Sequence, residues 1–147
     1  MRFTLDTNIL VYAIDRAAGE RHDKALEIIG QCRGRDVVLT LQSLGEFFRA
    51  ATVRHRVPAR HAMEVVQEWR DAFSVVAADG VCLVDAMDAV AAHSFSFWDA
   101  MLWATAKRHG CRLVISEDGQ NGRTLGGVTI ADPFVADPEP LLREAFA

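Results

Sequence analysis

Two short apolar runs, one near each end of the chain, stop at an acidic residue, and this narrows the available folds more than any other feature. Phe3, Thr4 and Leu5 lead into Asp6; Leu113, Val114, Ile115 and Ser116 lead through Glu117 to Asp118. Short apolar runs of this kind bounded by polar residues read as buried strands. Between them the pattern alternates. Helices are expected over 8–15 and 22–32, a strand over 37–40, helices over 42–53 and 59–72 with Pro58 at the entry, and a strand over 73–76. A helix through Leu83, Met87, Val90 and Ala91 follows, then one starting at Ser96. Strands over 111–116 and 128–130 flank a polar, glycine-rich loop over 117–127, and Asp132-Pro133 closes the fold. Strands alternating with helices predict an α/β domain with a parallel sheet. In such sheets ligands bind beyond the carboxyl ends of the strands, where strand order reverses, so acids at two strand ends can face one site.

Two further acids stand near helix starts. On a helix, Asp99 shares a face with Leu102, Trp103 and Ala106 at i+3, i+4 and i+7, which aligns its carboxylate with the buried stripe. Glu46 lies in the helix expected over 42–53. If the four carboxylates of Asp6, Glu46, Asp99 and Asp118 converge, each pair about 5 Å apart repels by roughly 3 kcal/mol at an effective dielectric of about 20. Folding must then raise their pKa values or supply a cation. A hard divalent ion with oxygen ligands answers this economically, and Mg²⁺ held by carboxylates is also common machinery for phosphodiester cleavage. Each acid has an ordinary structural reading as well. Ser96 to Asp99 and Ser43 to Glu46 match a capping box, Asp6 suits an N-cap, and Asp118 before Gly119 suits a turn.

Composition bounds the rest. At 147 residues, half of them hydrophobic and 24% charged, the chain is expected to form one globular domain over 1–147. No apolar run is long enough for a membrane span, and no secretory h-region precedes Asp6, so a cytoplasmic protein is expected. Cys32, Cys82 and Cys111 lack metal-ligand spacing and read as reduced, buried side chains. The net charge of −4 argues against a basic nucleic-acid-binding surface over the whole molecule. A local basic stretch, Arg49, Arg54, His55, Arg56, Arg60 and His61, is open to two readings: a solvated helix end, or phosphate contact. Trp69, Trp98 and Trp103 fall at helical spacing and are read as core.

In Leu5-Asp6-Thr7-Asn8-Ile9-Leu10-Val11-Tyr12, Glu46-Phe47, Ser96-Phe97-Trp98-Asp99-Ala100 and Ser116-Glu117-Asp118, the sequence resembles PIN-domain proteins, and more narrowly the VapC class of toxin ribonucleases. The order and spacing of these motifs cover nearly the whole chain. The resemblance implies a three-layer α/β/α domain with a central parallel sheet, and makes Asp6, Glu46, Asp99 and Asp118 the catalytic and metal-binding quartet. It further implies an endoribonuclease dependent on Mg²⁺ or Mn²⁺, a homodimer, and a cognate antitoxin protein. Thr7, Asn8 and Ser116 match positions that support the site through hydrogen bonds. Ser116 stands where many relatives have Thr, and Gly119 where close relatives are often apolar.

The implied mechanism is metal-assisted hydrolysis of RNA, with in-line attack by water and metal charge on the leaving 3′ oxygen. Neither the number of ions nor the RNA that is cut follows from the sequence. Two other classes also place acids in this way. A phosphoryl-acceptor domain also carries Asp at a strand end, but a haloacid dehalogenase-type phosphatase wants a second Asp where this chain has Asn8, and a receiver domain wants a late-strand Lys that is absent. A non-catalytic RNA- or protein-binding module is the other class, separated from an enzyme by metal-dependent cleavage that single substitutions in the quartet abolish.

Overall fold

The apolar runs become strands because both of their faces are covered. In the computed structural model, which describes residues 1–147, β1 (Phe3–Leu5) pairs in parallel with β4 (Leu113–Ile115), and β4 with β6 (Val128–Ala131). A second parallel pair joins β2 (Val38–Thr40) to β3 (Ser74–Val76), and the bridge between Phe3 and Val37 sets β2 beside β1. The strand order is therefore β3-β2-β1-β4-β6, with β5 (Thr124–Leu125) added antiparallel at the edge. The chain winds outward from β1 to β3, then returns to the other side of β1. Strand order reverses between β1 and β4, where a parallel sheet opens a crevice.

Side chains alternate along each strand, so each strand feeds two cores. Phe3, Leu5, Leu39, Leu113, Ile115 and Ala131 pack against α1 (Thr7–Tyr12), α2 (Glu20–Cys32), α3 (Leu41–Arg49), α4 (Ala59–Ala72) and the terminal α7 (Pro140–Ala145). Val38, Val114, Val128 and Ile130 face α5 (Gly80–His93) and α6 (Phe97–Arg108) on the opposite side. The result is the expected three-layer α/β/α arrangement around a mostly parallel sheet. Cys32, Cys82 and Cys111 are buried free thiols, and burial pushes Cys32 and Cys111 up to about 12, which makes both poor nucleophiles.

Several elements depart from the expectations. The first helix ends at Tyr12 and a short 3-10 turn, Arg16–Ala18, follows it. The helix expected over 42–53 stops at Arg49 and widens into a π turn, Ala50–Arg54, closed by a bond from the His55 N–H to the Ala50 carbonyl. Strand β5 and helix α7 were not expected, and the fold does not close at Asp132-Pro133. Pro140 occupies the first turn of α7, where its missing N–H costs nothing, and Leu142 and Ala145 complete the larger core. Trp69 and Trp103 are buried as expected, but Trp98 is 61% exposed. It sits in the first turn of α6, which stands at the strand ends.

Candidate active site at the ends of β1 and β4

Asp6 follows β1 directly, and its N–H donates to the Ile115 carbonyl of β4, so the two strand ends are locked side by side. One carboxylate oxygen caps α1 by accepting from the Thr7 N–H at 2.7 Å; the other accepts the Ser116 hydroxyl at 2.6 Å. Ser116 Oγ in turn accepts from the Asp118 N–H at 2.9 Å and from Asn8 Nδ2 at 3.2 Å. Asn8 Nδ2 also lies 3.3 Å from Asp118 Oδ2. One serine therefore links three residues of the site. Gly119 has a φ of +86°, a conformation that L side chains rarely adopt, and this lets the chain turn immediately after Asp118.

The third acid arrives from the other layer. Leu102, Trp103 and Ala106 are buried, and Asp99 on the same face of α6 reaches the acids at the strand ends. Ser96 occupies the N-cap of α6 but makes no side-chain cap bond, so the capping-box arrangement is not formed there. Carboxylate oxygens of Asp6, Asp99 and Asp118 lie within 4.8 Å of one another. A small cavity of about 20 Å³ lies between these acids, Ser116 and the apolar side chains of Leu102, Trp103, Val114 and Ile130.

Glu46 is not in that cluster. It sits mid-helix in α3, whose cap is Thr40 rather than Ser43, and buried Leu44 and Phe47 set its rotation. Its carboxylate accepts from the Thr7 hydroxyl at 2.8 Å and from Gln42 Nε2 at 3.1 Å, which holds it at the rim beside Asp6. Three acids thus converge and the fourth flanks them. Sequence reasoning assigned no role to Gln42, Tyr12 or Arg21. Tyr12 and Arg21 both donate to Glu117, the arginine at 3.0 Å, which occupies that carboxylate and braces the loop beside Asp118. The Gln42–Glu46 spacing of i,i+4 was the one available signal.

Residues 3–124 match the PIN domain as a sequence family. The chain belongs to the PIN-domain family. No curated protein matches it in sequence. Among solved structures, this PIN domain is similar to the sarcin-ricin-loop-cleaving toxin VapC20 of Mycobacterium tuberculosis, at 20% identity and a TM-score of 0.65 over 80% of this chain and 90% of that one. It is also similar to a DNA-bound VapBC of Salmonella typhimurium, at 18% identity and a TM-score of 0.67 over 90% and 98%. A toxin–antitoxin complex from Klebsiella pneumoniae gives 18% identity and a TM-score of 0.64 over 89% and 97%.

The donor set of this PIN domain suits a hard divalent cation. All the converging groups are carboxylate oxygens, and the nearby Asn8 Oδ1 is buried with no hydrogen-bond donor, an acceptor that water or a hydrated ion would satisfy. Burial raises the Asp6 carboxyl to about 6, with the charges of Asp118 and Asp99 adding to the rise and the Ser116 and Thr7 bonds opposing it. The sign follows. The unfolded carboxyl ionises near 3.8, so the folded state binds more protons between about 4 and 6, and stability falls as pH rises through that window. The penalty reaches about 3 kcal/mol above pH 6. In metal-free buffer, the stability of Asp6→Asn relative to wild type should therefore grow from pH 4 to pH 6 in denaturant melts. A flat difference would contradict a destabilised carboxylate.

A groove of about 790 Å³ opens beside the acids, and Thr7, Asn8, Glu46 and Asp118 are among the residues that line it. The basic stretch divides here. Arg49, Arg54 and His55 line the groove, whereas Arg56, Arg60 and His61 do not. Arg49 lies three residues after Glu46, and the π turn carries Arg54 and His55 into the same wall. Such turns recur at functional sites.

Proposed function

We propose that this PIN domain is a divalent-metal-dependent endoribonuclease acting as the toxin of a toxin–antitoxin pair. The observation that carries the reading is the convergence of Asp6, Asp99 and Asp118 at the strand-order reversal, beside a groove that Arg49, Arg54 and His55 help to line. Mg²⁺ or Mn²⁺ would be held by Asp6, Asp99 and Asp118, with Glu46 at the rim. When bound, such an ion would supply a water of lowered pKa and positive charge for the phosphoryl oxygens.

The protein's own groups do the rest. Ser116, Thr7 and Asn8 hold the carboxylates in place before any ion arrives, so little reorganisation is needed. Leu102, Trp103, Val114 and Ile130 bound the inner side of the cluster with apolar surface. Arg49 and Arg54 would take phosphates next to the scissile one, as positioning contacts that carry no sequence information. A cognate antitoxin is supported by the toxin–antitoxin complexes among the structural neighbours. Exposed apolar residues on α5, among them Val81, Val84 and Met87, give the chain a face suited to a protein partner such as a second copy.

Incubating purified protein with cellular RNA tests the reading. Cutting should require Mg²⁺ or Mn²⁺, stop with EDTA, and give discrete 5′ ends on sequencing; RNA binding without metal-dependent cutting would make the chain a binding module instead. Binding measured over a salt series should weaken in Arg54→Gln on every RNA tried, with the log–log slope shallower by about 0.7, the share of one single-strand phosphate contact. Arg56→Gln, outside the groove, should keep the wild-type slope.

A further inference from the structure

We propose that Gln42 is a positioning residue for the acidic site, tying Glu46 to the helix that carries Asp99 across the ends of the strands. The proposal rests on reading the acids as a divalent-ion site. Gln42 lies in the first turn of α3, on the same face as Glu46 four residues on. Its Nε2 is 3.1 Å from Glu46 Oε1 and 3.0 Å from the backbone carbonyl of Trp98, the residue before Asp99. Both partners only accept, so chemistry fixes the amide with its nitrogen toward them, and its two hydrogens find one acceptor each.

This link spans the fold. Helix α3 packs on one face of the sheet and α6 on the other, and no other hydrogen bond joins them. The first turn of α6 has few anchors of its own, since Ser96 makes no cap bond and the Trp98 side chain is mostly in solvent. Gln42 supplies one at the point where Asp99 must be placed. On the other side, Thr7 next to Asp6 holds the second Glu46 oxygen. Glu46 is thus held by two neutral donors, Thr7 just beyond β1 and Gln42, which also reaches the start of α6. An arginine there would cancel its charge; a carboxamide and a hydroxyl fix the carboxylate and leave the charge available to a cation.

Gln42→Met keeps the length of the side chain and removes both donor hydrogens. Calorimetric titration with Mn²⁺ should show binding about tenfold weaker than wild type, the low end of what loss of a supporting hydrogen bond does to a metal site. In RNA cleavage kcat should fall while KM for RNA holds, and the melting temperature in EDTA should stay at the wild-type value. Gln42→Ala should give the same loss, because the donor rather than the volume is at issue. Gln31→Met breaks a similar carboxamide–carboxylate pair with Glu27 on α2, away from the site, and should change none of these readings. Wild-type Mn²⁺ affinity in Gln42→Met, or a loss confined to one of the two variants, would overturn the proposal. A wild type that cuts RNA while Mn²⁺ binding ignores Gln42 removes this inference alone. A wild type that binds Mn²⁺ through Gln42 yet cuts nothing upholds it and removes the nuclease reading.

Discussion

Asp6→Asn and Asp99→Asn are each expected to lower the rate of RNA cleavage by about 10³-fold or more, in a protein that remains folded. The size follows from what the carboxylates are asked to do. An ion that contributes about 4 kcal/mol of transition-state stabilisation accounts for about 10³ in rate, and an asparagine cannot replace the charge that holds it. The same reasoning grades the four acids. Asp6, Asp99 and Asp118 present oxygens within 4.8 Å of one another, whereas Glu46 lies outside that cluster and is held by Thr7 and Gln42. Glu46→Gln should therefore cost less, about 10- to 100-fold, in the range of a group that supports a metal site from its rim. Single-turnover cleavage of one defined RNA measures all three variants. Full activity in both Asp6→Asn and Asp99→Asn would end the nuclease reading, and a Glu46→Gln variant as dead as Asp99→Asn would place Glu46 among the direct ligands.

The parts of this site that could be read from sequence are those in which one residue's context decides its place. Asp6 and Asp118 were legible because a short apolar run bounded by polar residues reads as a buried strand, and whatever follows it stands at the strand's carboxyl end. Asp99 was legible because it shares a helix face with the apolar Leu102, Trp103 and Ala106, all of them buried. Helix α4 came out at the expected residues, since Pro58 sets its start and Trp69 and Ala62 mark its inner face. What stayed hidden depends on contacts between distant segments. Glu46 looks equivalent to the other acids in sequence, and only the packing of Leu44 and Phe47 shows that it flanks the cluster. The π turn after Arg49 has no composition of its own, although it decides that Arg54 enters the groove and Arg56 does not. Strand β5 is two residues long and exists because Thr124 and Leu125 pair with Thr129 and Val128, with the hairpin held on α6 by the Trp103 indole N–H. Trp98 was misread because its neighbours are apolar all round the helix, a pattern that cannot show where the covering layer ends.

Crowded like charge makes a prediction about stability that depends on no assumption about RNA. Asp99→Asn should be as stable as wild type in EDTA, or more stable by up to about 2 kcal/mol, since it removes repulsion that the metal-free protein carries between Asp99 and its two partners. Mn²⁺ should reverse the ranking. An ion that binds only the folded state stabilises wild type by about 2.7 kcal/mol at a hundred times its Kd. For a chain of this size that is roughly 6–10 °C in Tm. The variant, one ligand short, should gain less than half as much. A helix-start role for Asp99 predicts a different pattern, a loss of about 0.5–2 kcal/mol that is the same with and without the ion. The structure already weighs against that role: the Asp99 carboxylate makes no hydrogen bond to the start of α6, and its oxygen lies with those of Asp6 and Asp118. Thermal melts of both proteins, in EDTA and in Mn²⁺, separate the two. Equal destabilisation under both conditions would make Asp99 a residue of the helix and leave the strand-end acids without their third ligand.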